Sequence, residues 1–402
     1  MGVITGGVAK LPDQTQRDAY RLPTEVTPTH YDLVFKTDLE GLTFEGEGLI
    51  HLNVHESTTS VQFNLNPSVQ LTHISLEIPG EKPIEYSPPR AIRHDETDET
   101  PGQTNRENEP TPVESDLESV QPGQIKVDKD QERFSLGVPK GLLTAGTKGV
   151  RVRAAWKDIL GGSMMGYYRS SFPHAEEGKK DTYYALTQFE PTAARRAYPS
   201  WDEPAIKATY SIALLGRKGL VSLSNMPVET EGEWEGSIGF GEGVTLGENL
   251  SKGEAQEEGR GGWTVTKFEK TPLVSSYLVA FAHGPFASLS SEYTSPLTGK
   301  TIPLKIYATP DLIGQAQFAL DVKRMALPVY EEIFDVPYPL PKLDTLVAHD
   351  FDAGAMENWG LITGRTTAYL YDPKKSSLAA KKRIIDVQSH ECAHMWFGNI
   401  VS

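Results

Sequence analysis

From Tyr31 onward the apolar and polar positions alternate with a period of two. In LTFEGEGLIHLNV, Phe44, Ile50, Leu52 and Val54 share one parity while Glu45, Glu47, His51 and Asn53 share the other, as in a half-buried strand. YDLVFK, VQFNL, HISLEI, RFSLGV, VRVRAAW, TYSIALL, LVSLSN, TVTKFEK and SYLVAFA continue at short spacing, with turn signals between them. The pattern predicts an N-terminal antiparallel all-β domain over residues 18–289.

After PLKIYA the period changes. IGQAQFALDVKRMALPVYEEIF has helical spacing despite Pro328, and it stops before the Pro-rich turn DVPYPLPK. LDTLVAHDF reads as a strand, GAMENWGLITGRTTAYLY as an edge strand with a loop, and residues 377–398 as a helix. Helix, sheet and helix together predict a second, α/β unit over residues 290–402, with no internal repeat in the chain.

Composition modifies this picture in two places. Residues 88–122 are rich in Asp, Glu, Pro, Thr and Asn and almost free of large apolar side chains, so they are expected to form a disordered insertion. Residues 229–262 are rich in Gly and Glu and are expected to form a long flexible loop. Residues 1–17 are read as a disordered N-terminus.

The net charge of −15 argues against a nucleic-acid partner. No apolar run reaches eighteen residues, so no membrane span is expected. The first twenty residues lack the basic and apolar regions of a secretory signal, and Gly6 stands where myristoylation needs Ser or Thr. One cysteine, Cys392, allows no intrachain disulfide and fits a reducing compartment, so a cytoplasmic location is expected. Cys392 itself reads as a small buried helix residue.

The chemistry sits near the end of the chain. His390, Glu391 and His394 form His-Glu-x-x-His, eight residues before the last one, Ser402. Histidines four apart lie on one face of a helix, where both rings can reach a single zinc ion while the intervening Glu faces the metal's water. Zinc lowers the pKa of that water, and Glu391 can take its proton as it attacks an amide carbonyl, so the reaction class is peptide hydrolysis. A hydrolytic zinc site needs a third protein ligand. Phe397 and Ile400 occupy the positions where a metzincin would have Gly and His, which excludes that class.

A second constellation, Gly354, Ala355, Met356, Glu357 and Asn358, places Glu357 33 residues before His390. Small residues there let a peptide main chain pair with the backbone as an added strand. A carboxylate at the strand's end, Glu357, can accept a substrate's protonated α-amine, which confines hydrolysis to N-terminal residues.

With these two motifs in this order, the chain resembles the gluzincin zinc aminopeptidases, of the puromycin-sensitive and alanyl type, and the fungal cytosolic branch most closely. TQFEPTAARRAYPSWDEPAIKATY, SSYLVAFAHGPF and YEEIFDVPYPLPKLD carry the resemblance further, so that it covers residues 18–402 outside the two insertions. The resemblance implies an N-terminal β domain followed by a thermolysin-like zinc domain. His390 and His394 would bind one Zn2+, Glu391 would be the general base and Glu357 would hold the free amine. Gln188 and Glu190 of TQFEP would reach into the substrate pocket, Glu190 as a second amine anchor; the alternative for Glu190 is an ion pair with Arg195 or Arg196. Gly354 and Ala355 would line the peptide backbone, with Met356 and Asn358 of the same motif also among the substrate-binding residues.

The family's third ligand, a Glu about twenty residues past the second histidine, would fall beyond Ser402, as would a Tyr that stabilises the oxyanion. The expectation is therefore an incomplete thermolysin-like domain that binds zinc weakly: the inactive N-terminal portion of an aminopeptidase acting on peptides with a free N-terminus. Two alternatives stand beside it. One is a non-catalytic peptide-binding or regulatory protein; the other is the family's epoxide-hydrolysing branch, which has Gly where this chain has Ala355. His349 reads as a structural histidine.

Overall fold

In the strand Val26–Asp38, Leu33, Val34 and Phe35 are all fully buried, so this strand is covered on both faces. It lies inside an eight-stranded sheet in a computed structural model that describes residues 20–91, 120–174, 176, 178–241, 243–251 and 262–401. The sheet runs in the order Val228–Glu233, Trp263–Phe268, Thr209–Arg217, Val26–Asp38, Thr43–Val54, Val150–Ile159, Gln70–Glu77 and Ile84–Glu85. Most pairings are antiparallel, as the alternation predicts. The exception is Val26–Asp38 with Thr209–Arg217, a parallel pair that joins two distant parts of the chain.

A four-stranded sheet, Val221–Ser224, Phe281–Gly284, Thr182–Gln188 and Gly166–Phe172, covers the inner face. Aromatic rings fill the space between the sheets: Phe35 and Tyr167 lie 4.5 and 4.8 Å from Phe281, centroid to centroid. Trp156 is also buried there and needs Gly46 opposite, where a Cβ would sit 2.3 Å from the indole.

Two expectations fail in this unit. SYLVAFA is a strand only from Phe281; Ser276–Leu278 is a 3-10 turn. Side chains there replace ladder partners, since Asn225 donates to the Leu278 carbonyl and accepts from the Ala280 amide, both at 2.8 Å.

The second correction concerns residues 229–262. Instead of a flexible loop they supply the edge strand Val228–Glu233 and a hairpin, Ile238–Gly241 with Val244–Leu246; residues 252–261 lie outside the described part. Ile238, Val244, Leu246 and Leu250 pack with Val34, Leu49, Ala213 and Leu215 on the outer face of the large sheet. The Glu47 carboxylate, nearly fully buried beneath the hairpin, accepts from the Gly247 amide at 2.8 Å and from Asn249 Nδ2 at 2.9 Å. Apolar residues scattered among glycines acquire a partner only when the sheet's outer face is built. The insertion expected at 88–122 falls almost entirely on residues 92–119, outside the described part.

The second unit is a five-stranded sheet ordered Ala287–Thr294, Thr301–Ala308, Leu343–Ala348, Leu361–Arg365 and Ala355–Met356. The three inner strands are parallel and almost wholly buried in the two central ones, which leaves the short strand Ala355–Met356 at an edge. Helices α1 (Gln317–Phe334), α2 (Thr366–Tyr369) and α3 (Leu378–His394) pack on this sheet and on each other. Pro328 interrupts nothing: α1 runs through it.

The two units share polar contacts as well as core. Lys342 Nζ donates to the carbonyls of Ser224 and Gly360 at 2.7 and 2.8 Å, and Asn225 donates to the Trp359 carbonyl at 2.9 Å. Ser170 donates to Asp350 Oδ2 at 2.7 Å, and the Tyr168 hydroxyl donates to the Asp350 carbonyl at 2.8 Å. The four-stranded sheet thereby holds the segment that leads into Gly354–Asn358.

Candidate active site

Helix α3 begins at Ser377, whose hydroxyl accepts from the Ala380 amide at 3.2 Å, an N-cap that leaves the helix free of Gly and Pro to its end. Ile384, Gln388, Glu391 and Cys392 form its buried face, spaced four, three and one apart. That orientation turns His390 and His394 toward the open side and keeps Glu391 inside.

His390 Nε2 and His394 Nε2 face each other at 3.0 Å, with the rings nearly perpendicular. Two nitrogens bound to one tetrahedral zinc at about 2.0–2.1 Å would stand roughly 3.3–3.4 Å apart, so the pair fits a shared cation with a small opening. His394 Nδ1 donates to the Phe397 carbonyl at 2.8 Å, which leaves Nε2 as the free lone pair, the tautomer a metal ligand requires. Among the described residues no group of three or more His, Cys, Asp or Glu is arranged to hold a metal ion, so the convergence is of two imidazoles.

Glu391 is 5% exposed and its Oε2 has no hydrogen-bond partner. Burial, and then the carboxylates of Glu357 and Glu190, push its pKa up to about 8. A cation beside it acts in the opposite sense.

Glu357 follows the edge strand Ala355–Met356, which pairs with Leu361–Arg365 on one side only. Its Oε1 lies 3.8 Å from His394 Nδ1. Arg365 braces the approach to this strand: its guanidinium donates to the carbonyls of Phe351, Asp352 and Ala353, and its amide donates to the Gly354 carbonyl at 3.1 Å. Gly354 and Ala355 are half-buried at the edge. Met356 and Asn358 point into the interior instead, Met356 into the core and Asn358 Nδ2 to Thr363 Oγ1 at 3.0 Å, so they meet the edge only through backbone.

From the β unit, the strand Thr182–Gln188 delivers Gln188, buried, with an Oε1 that has no partner. Glu190, two residues on, keeps much of its surface in solvent, and partial desolvation of its carboxyl, then the charge of Glu357, raise its pKa, with His394 opposing. Among the described residues Glu190 forms an ion pair with neither Arg195 nor Arg196; Arg195 is committed to Asp202 at 3.0 Å and Glu132 at 3.4 Å. The fold thus brings Glu190, Glu357, Glu391, His390 and His394 together from two units.

Three participants carried no signal in the sequence. The Tyr277 hydroxyl donates to the Gly398 carbonyl at 3.3 Å, and burial, then the charges of Glu357 and Glu190, push its pKa up to about 12. Phe397 contributes its carbonyl, and Asn399 a side-chain amide. Their roles depend on where the chain turns after α3. His349, by contrast, stacks beside Phe172 and meets the Tyr184 hydroxyl at 3.3 Å, away from the two zinc-motif histidines.

No described helix is long and apolar enough to cross a membrane. Residues 27–242 match the Peptidase M1 N-terminal domain and residues 318–402 match the Peptidase family M1 domain. Aminopeptidase M1 of Arabidopsis thaliana is 33% identical over 95% of this chain and 35% of its own length. Endoplasmic reticulum aminopeptidase 1 of Rattus norvegicus is 33% identical over 95% of this chain and 34% of its own length, and the Alanine/arginine aminopeptidase of Saccharomyces cerevisiae is 30% identical over 95% and 36%. The chain spans about a third of the length of these relatives.

Proposed function

Because the chain belongs to the peptidase M1 family, we propose that it carries the metal-binding and amine-anchoring part of a zinc aminopeptidase, which removes N-terminal residues from peptides. The convergence of His390 and His394 at 3.0 Å beside the carboxylates of Glu391 and Glu357 carries the reading. His390 and His394 would hold the zinc ion, which supplies Lewis acidity to the carbonyl and acidity to water.

The remaining work falls to the chain's own groups. Glu391, kept from other partners by burial, takes the proton from the attacking water and returns one to the leaving amine. The free edge of Ala355–Met356 pairs with the substrate main chain, which fixes the scissile bond. Glu357 and Glu190 repel one another, and a substrate ammonium placed between them relieves that repulsion; an acetylated terminus does not. Gln188, two residues before Glu190 and with a buried Oε1 that has no partner, is assigned to the substrate side of the same segment. The single, buried Cys392 supports a reducing, cytoplasmic location.

The test is calorimetry on the 402-residue chain, with zinc, using one peptide in free and N-acetylated forms. The free form is expected to bind more tightly, and Glu357→Ala to erase most of the difference; equal binding of both peptides by the wild type would refute the amine anchor. Free-amine peptide binding that persists in the absence of zinc would instead favour a non-catalytic peptide binder.

A further inference from the structure

Where the chain leaves α3 it turns back through the site, and three consecutive residues each hold a different part of it. The Phe397 carbonyl accepts from His394 Nδ1 at 2.8 Å. The Gly398 carbonyl accepts from the Tyr277 hydroxyl, which reaches across from the β unit, at 3.3 Å. Asn399 Nδ2 donates to the backbone carbonyl of Glu357 at 2.9 Å.

The geometry leaves little room for other residues. Gly398 has φ +109°, a region that side chains disfavour, and a Cβ there would lie 3.2 Å from His394 Nδ1 and 3.8 Å from Glu357 Oε1. The turn is closed by the Gly398 amide on the Val401 carbonyl at 2.7 Å. Asn399 is 1% exposed and its Oδ1 has no partner, so its directed hydrogen bond is the one to Glu357; the same amide nitrogen otherwise meets only Met395 Sδ, at 3.8 Å. A buried amide with one acceptor left over is a cost, and it is retained where it ties two segments of the site together.

We propose that Phe397–Gly398–Asn399 is a staple, and that Asn399 is the positioning residue for Glu357, fixing the amine-anchoring carboxylate against the helix that carries both histidines. Glu357 sits at the end of a two-residue edge strand, which by itself gives its backbone little hold. Asn358 fixes the chain one residue later through Thr363, and Asn399 supplies the constraint on Glu357 itself. Loss of the Asn399 bond lets the carboxylate move relative to the histidine pair, so the free amine and the scissile carbonyl are no longer held in register. The inference rests on the amine-anchoring reading of Glu357.

The experiment compares wild type, Asn399→Ala and Asn399→Leu, the last keeping volume without a donor. Each is titrated calorimetrically with one peptide in free and N-acetylated forms at fixed zinc, and separately with Co2+, followed by absorption, to report on the histidine pair. Both variants are expected to lower the preference for the free amine about tenfold, the effect of one lost buried hydrogen bond. Co2+ affinity should stay within about twofold of wild type, because the His394–Phe397 contact remains. A general structural defect would instead weaken Co2+ and both peptides together. If Asn399→Ala does not fold, Asn399→Leu carries the comparison. A wild type that prefers the free amine, with variants that keep that preference, overturns the staple alone. A wild type that prefers neither peptide overturns the Glu357 reading and the staple with it.

Discussion

Lys323 lies in α1, fully buried against the sheet, and its ammonium donates to the carbonyls of Lys305 at 3.1 Å and Leu343 at 3.3 Å. Burial outweighs these bonds and the pull of Asp344 and Cys392, and lowers its pKa from 10.5 to about 8. Between those values the unfolded chain binds a proton that the folded chain has released, so stability must rise with pH across the window from 8 to 10.5. At about 1.4 kcal/mol per pH unit, the full gain is about 3 kcal/mol. Tyrosines with raised pKa values oppose the trend above pH 10, so the informative quantity is the difference between wild type and Lys323→Met. Urea midpoints taken from pH 7 to 10 should show wild type gaining on the variant by about 1 kcal/mol or more per pH unit above pH 8. At pH 7 the variant should be the more stable by about 1–2 kcal/mol, the charge penalty less the two lost hydrogen bonds. Parallel pH profiles for the two proteins would refute the argument.

Two further outcomes follow from buried polar groups in the β unit. His283 is held neutral by burial, with its pKa lowered to about 4, so stability should fall by up to about 3 kcal/mol as pH drops from 6.5 to 4, and His283→Phe should remove that share of the acid sensitivity in a denaturation series. Glu47→Ala would leave the Gly247 and Asn249 donors without their acceptor and free the hairpin at 238–246, which limited proteolysis should detect as faster cleavage there while the thermal midpoint of the rest of the sheet changes little.

The alternation of Phe44, Ile50, Leu52 and Val54 determined the strands of the β unit, because one buried face imposes a period of two on any sequence that fills it. The helix read at 377–398 is α3, which ends four residues earlier at His394, and the pairing of His390 and His394 comes with it, since residues four apart share a face whatever surrounds them. Contacts between distant segments were not legible. The hairpin at 238–246 reads as a loop until Val34, Leu49 and Leu215 give its apolar residues a surface, and the 3-10 turn at Ser276 reads as a strand until Asn225 takes over its backbone bonds. The site divides the same way. Its two histidines and its carboxylates are written in local motifs, because a helix turn and a strand end fix their spacing. That Glu190 faces Glu357, that Tyr277 reaches Gly398, and that Asn399 holds the Glu357 backbone were decided only by tertiary packing. A hydrogen bond between residues far apart in the chain leaves no period behind in the sequence.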